Sequence, residues 1–141
     1  MEPHEEIMNF LKENPTFYLA TVDGYLPRVR PIGFAMWYNG HLCLGIGKHK
    51  AAYKQLLDNT NLEICASNDR GEWLRVQGTA NFDNTPAAQA AASSTQARKP
   101  AAVFRNLFTV FLHLRKNICQ KFCPFSLFPN RKMKKSGGIV R

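Results

Sequence analysis

Two pairs of residues, Asp23-Gly24 and Asn39-Gly40, constrain the first half of this chain more than anything else in it. Each pair tolerates positive φ at the two central positions of a tight hairpin and sits between apolar runs. Each therefore predicts two antiparallel strands meeting end to end. The runs are Phe17 to Val22, Arg28 to Tyr38 and His41 to Ile46, a three-stranded meander. The second is nearly continuously apolar after Pro31, which suits a strand buried on both sides or one strongly curved in a barrel. Pro27 and Pro31 restrict where that strand can pair.

Before the meander, Pro3 to Asn14 reads as a helix, with proline near its start, acids in the first turn and an apolar stripe of Ile7, Met8, Phe10 and Leu11. After it, Ala51 to Asp58 has the helical spacing of Tyr53, Leu56 and Leu57. Leu62 to Ala66 and Glu72 to Phe82 read as a fourth and fifth strand, the latter with Trp73, Arg75 and Gln77 on one face. Thr85-Pro86 starts a weakly amphipathic helix over Ala87 to Ala92. Val103 to Leu114 fits a helical stripe about as well as a strand.

Charge divides the chain. Its net +9 hides eight basic and ten acidic residues through Ala97, followed by eleven basic residues and no acid from Arg98 onward. Residues 115–141 alternate Lys and Arg with Phe, Pro and Cys without a period, so loose or irregular packing is expected there. A late shift of reading frame would produce such a change of pattern. With Phe104, Phe108, Phe122, Phe125 and Phe128 interleaved, the tail also raises nucleic-acid binding as a third class of function. A salt dependence lost on truncation at Arg98 would identify it.

A sequence of 141 residues is one domain long and has no run of about 18 apolar residues, so no membrane span is expected. Glu2, Glu5 and Glu6 stand where a signal peptide needs positive charge, and a cytoplasmic protein is the expectation. Cys43 and Cys65 fall at apolar strand positions, as buried free thiols do. His113, Cys119 and Cys123 have irregular spacing and no fourth ligand, so no metal site is assigned.

The sharpest candidate site is for an anion. Arg28 and Arg30 point to one face of the second strand, and Arg30 offers a fork of donors suited to phosphate. Gly45, Gly47, Lys48, His49 and Lys50 lead into a helix start, where backbone N–H groups favour anions. The plain alternative is a solvated basic face. Trp73 beside Arg75 suits a flat heteroaromatic ligand, or else a core or dimer contact.

These segments, FLKENPTFYLATVDGYLPRVRPIGF, NGHLCLGIGKHKAAYKQLLDNTNLEICA and EWLRVQGTANFD, resemble in order and spacing the pyridoxamine 5'-phosphate oxidase-like flavoproteins. The likeness is greatest to their small bacterial members related to nitroimidazole-resistance proteins, and it covers roughly Ile7 to Ala92. It implies an α+β, mainly β fold, a six-stranded antiparallel split β-barrel with flanking helices over residues 1–112. Residues 113–141 would form an atypical basic tail. It implies a homodimer binding FMN between subunits, with Arg30 and Lys50 on the flavin phosphate, Lys48 and Arg28 as weaker carry-overs, and Trp73 beside the ring. It also implies a closing strand at Phe108-Thr109-Val110-Phe111. The expectation is an oxidoreductase acting on a small molecule, with no membrane or nucleic-acid partner. A non-catalytic flavin or haem store stays open, as does deazaflavin in place of FMN. No basic and aromatic set in the second half matches the substrate clamp of the authentic oxidase.

Overall fold

The computed structural model describes residues 2–83, 85–95 and 107–114, with residue 83 and residues 107–114 described by their backbone alone. Three helices and seven strands follow one another as α1 (Pro3–Glu13), β1 (Phe17–Asp23), β2 (Leu26–Ile32), β3 (Ala35–Tyr38), β4 (His41–Gly47), α2 (Ala51–Asp58), β5 (Asn61–Ser67), β6 (Trp73–Asp83), α3 (Pro86–Thr95) and β7 (Leu107–Leu114). The strands form one antiparallel sheet in the order β2-β1-β5-β6-β7-β4-β3. The fold is α+β and mainly β. The segment from 103 that fitted helix and strand equally is a strand from Leu107, hydrogen-bonded between β4 and β6.

The meander is the main correction. The second strand, read as continuous over 28–38, breaks at Gly33-Phe34 into β2 and β3, so six expected strands become seven described ones. β2 pairs only with β1 and β3 only with β4, placing them at opposite edges of the sheet. Two residues cannot span a flat seven-stranded sheet, roughly 29 Å wide at about 4.8 Å per strand spacing, so the sheet curls until its edges approach. β2 and β3 are not hydrogen-bonded to each other among the described residues, and the barrel stays open there. An edge position also accommodates Pro27 and Pro31, which would interrupt a central ladder.

The two turns differ. Tyr38 pairs with His41, leaving Asn39 (φ 51°) and Gly40 (φ 80°) as the central pair of a type I′ hairpin, as expected. Asp23 pairs with Leu26, so the other central pair is Gly24-Tyr25, shifted by one residue; Gly24 alone has positive φ, as in a type II′ turn. A methyl group on Gly40 would meet nothing within 4 Å, so its cost is backbone strain alone. Gly40→Ala is expected to lower stability by about 1–2 kcal/mol in urea unfolding. A neutral result would contradict the turn assignment.

The inner face of the curled sheet holds the main core, with Phe17, Leu19, Leu42, Leu44, Ile64 and Val76 buried against Ile7, Met8 and Leu11 of α1 and Leu56 of α2. A capping box between Glu2 and Glu5 starts α1, and its acid-rich first turn complements the helix dipole. A smaller cluster of Phe34, Met36 and Cys43 lies under Ala88 and Ala92 of α3, on the outer face of β3 and β4. On α2 the buried residues are Ala52, Gln55 and Leu56, and Tyr53 packs partly buried against the core, while Leu57 is exposed; the inward face keeps two residues of the stripe read from Tyr53, Leu56 and Leu57 and is turned away from the third.

Candidate functional site

β1 alternates Phe17, Leu19 and Thr21 onto its buried face, and the register sets Leu19 opposite Arg30 and Thr21 opposite Arg28. Directly paired residues share a face, so both arginines lie on the core side at the rim of the sheet. Over this rim α2 brings Gln55, 9% exposed, against Thr21, 3% exposed. Thr21 donates its hydroxyl to Gln55 Oε1 at 2.7 Å. Arg30 donates Nη1 to Thr21 Oγ1 at 2.6 Å and Nη2 to the same Gln55 oxygen at 2.7 Å.

These three distances define how the guanidinium is held. Two acceptors 2.7 Å apart, each bonded to a different terminal nitrogen, sit together on the end of the fork. Three of the five N–H donors remain, including Nε–H and the outer hydrogen of a terminal nitrogen, which run parallel along a second two-pronged edge. That edge makes no hydrogen bond among the described residues. Arg28, Arg70 and Arg75 each have a carboxylate at 3.0–3.3 Å, from Asp23, Glu72 and Glu63. Among the described residues Arg30 has none. Burial, and then the neighbouring Arg28 charge, push its pKa below the ordinary arginine value. A bound anion would offset both.

Lys48, His49 and Lys50 occupy the exposed turn between β4 and α2. Lys50 is the N-cap of α2, its N–H bonded to the Gly47 carbonyl at 3.0 Å. The His49 ring folds back so closely that a Cβ on Gly47 would stand 2.7 Å from it. Gln55 lies five residues along the same helix, a rise of about 7.5 Å, so α2 carries both the Arg30 anchor and the lysine-bearing turn. Arg28 is more exposed and engaged with Asp23.

Trp73 is placed elsewhere. Through the ladder Pro31, Tyr18, Cys65 and Arg75, it shares the outer face with Arg75, whose guanidinium lies 5.2 Å from its ring centroid. Glu63 joins Arg75 at 3.3 Å and accepts from Gln77 at 2.6 Å. Burial raises the pKa of the Cys65 thiol beside this group. Trp73 and Arg30 thus lie on opposite faces of one chain, on strands roughly 14 Å apart at about 4.8 Å per spacing. The outer face also leaves Tyr18 48% and Val29 66% exposed.

A cavity of about 780 Å³ between α1 and β3 contains neither Arg30, Lys48, Lys50 nor Trp73. Its walls include Met8, Phe17, Met36 and Trp37, with His4 stacked on Trp37 at 4.7 Å. Lys12 is its one lysine or arginine, offset by Glu5, so the uncompensated charge marks the Arg30 rim as the better anion site. Thr21 and Gln55 were not singled out from the sequence; the available signal was a polar residue at a period-two buried position and another on the buried stripe of a helix.

His113 is described by its backbone alone, and Cys119, Cys123 and the basic stretch 115–141 lie outside the described residues. Among the described residues no helix is long and apolar enough to cross a membrane.

No curated protein matches the chain significantly. Among solved structures, a NimC/NimA family protein from Clostridium acetobutylicum is 28% identical with a TM-score of 0.68, covering 84% of this chain and 90% of its own. HupZ from Group A Streptococcus is 20% identical with a TM-score of 0.64, covering 79% and 88%. HutZ, the haem storage protein of Vibrio cholerae, is 16% identical with a TM-score of 0.66, covering 86% and 96%. The last two likenesses concern the fold alone. The family model described as pyridoxamine 5'-phosphate oxidase matches residues 3–108, three quarters of the sequence, and the chain belongs to that family.

Proposed function

We propose that this protein is a homodimeric FMN-binding oxidoreductase acting on a small molecule. The observation that carries the reading is the Arg30 guanidinium, partly buried, held at one end by neutral acceptors and without a carboxylate among the described residues. A flavin phosphate, with nearly two negative charges at neutral pH, fits the remaining edge. Lys50 adds a point charge at the α2 turn and Lys48 a further one, and the helix start contributes backbone N–H groups. Bound there, the flavin would supply the redox chemistry; the chain orients it and provides a positive environment.

The placement of two candidate cofactor residues supports the dimer. Arg30 and Trp73 lie on opposite faces, so one flavin touches both only if they come from different copies. The uncovered outer face, with Tyr18 and Val29, is the apolar surface a symmetric partner would bury. HutZ makes haem the competing ligand.

Protein incubated with FMN and desalted is expected to keep a two-banded flavin spectrum and to sediment as a dimer at micromolar concentration. Bleaching by a nicotinamide donor, with transfer to an acceptor, would separate turnover from storage. Failure to retain flavin while haem gives a stable Soret band would overturn the FMN reading. A flavin-loaded monomer would overturn the dimer.

A further inference from the structure

Among the described residues Arg28, Arg70 and Arg75 each pair with a carboxylate, yet the group facing Arg30 from α2 is an amide. A glutamate at position 55 would accept the same hydrogen bonds with nearly the same shape. It would also cancel the guanidinium charge. The buried hydroxyl of Thr21 gives Gln55 a donor, which leaves its oxygen as the shared acceptor for Thr21 and Arg30. The arrangement fixes the fork while leaving its full charge for something outside the chain.

We infer that Gln55, supported by Thr21, is the specificity-determining positioning residue of the Arg30 site, selecting a dianionic phosphate monoester by holding the guanidinium without neutralising it. This rests on the reading of Arg30 as the phosphate ligand. The physical content lies in the sign of one substitution. Gln55→Glu replaces a neutral acceptor by a charged one within 2.7 Å of a guanidinium, which strengthens the internal contact and weakens the external one. A merely structural role for Gln55 predicts no loss of anion binding from a stronger contact.

The test titrates full-length apoprotein with FMN and with riboflavin, which lacks the phosphate, for the parent, Gln55→Glu, Thr21→Val and Arg30→Met. Gln55→Glu is expected to weaken FMN roughly 10- to 100-fold while riboflavin changes by less than about twofold, with no fall in the apoprotein melting temperature. Thr21→Val removes one of the two acceptors without adding charge. It should give a smaller loss confined to FMN, and it carries the test if the glutamate variant does not fold. Equal weakening of both ligands by either folded variant would overturn the inference. If Arg30→Met lowers the FMN preference and Gln55→Glu leaves it unchanged, the role of Gln55 falls and the Arg30 site stands. If Arg30→Met itself leaves the preference unchanged, both fall.

Discussion

Leu56→Ala is expected to destabilise the protein by about 2–5 kcal/mol, while Leu57→Ala, one residue further along the same helix, changes stability by no more than about 0.5 kcal/mol. α2 has eight residues and is too short to persist alone, so it exists because one face is buried on the sheet. Leu56 is fully buried in the main core, and truncating it removes apolar contacts and leaves a cavity there. Leu57 is 54% exposed and loses little. Urea unfolding of the apoproteins at one fixed protein concentration measures both. Similar costs at the two positions would mean that α2 is rotated from the orientation described, and Gln55 with it. Leu56→Ala should also weaken FMN more than riboflavin in whatever fraction remains folded, because Gln55 reaches Arg30 only while α2 is seated.

That rotation is where the sequence was hardest to read. Tyr53, Leu56 and Leu57 are the bulky residues of α2, and a stripe drawn through them omits Ala52 and Gln55, which face the core. Alanine carries a weak signal and glutamine a contrary one, so side-chain size misdirects the assignment by about one residue. Gln55 is buried because Thr21 and Arg30 satisfy it, a fact available only once three elements have met. The local signals were stronger elsewhere. Asn39-Gly40 specifies its hairpin through positive φ, and the opening helix is marked by Pro3, its acids and Asn14-Pro15. Strand alternation correctly put Trp73 and Arg75 together. It could not relate them to Arg30, because which side of the sheet a strand presents depends on the chain of pairings through β1 and β5. The break at Gly33-Phe34 was hidden for a similar reason. An unbroken apolar run looks like one strand, and only the closure of the sheet shows that its two halves serve opposite edges.

Arg30 is the residue on which the functional account turns. Replacing it with alanine removes a two-pronged, charge-assisted contact to phosphate worth roughly 1.5–3 kcal/mol, about one to two decades of affinity. It also leaves Thr21 and Gln55 without their shared donor, although the two still bond each other at 2.7 Å, so damage to the fold should be limited. Lys50→Ala removes a more exposed point charge from the N-cap of α2, and its effect should be in the same direction and smaller. Riboflavin makes no use of either side chain's charge. The most direct measurement is therefore a titration of parent, Arg30→Ala and Lys50→Ala apoproteins with FMN and riboflavin, after unfolding curves confirm that all three are folded. The account predicts that Arg30→Ala weakens FMN by about ten- to a hundredfold and riboflavin hardly at all. Equal affinity of Arg30→Ala and parent for FMN, or a parent that does not distinguish FMN from riboflavin, would contradict it.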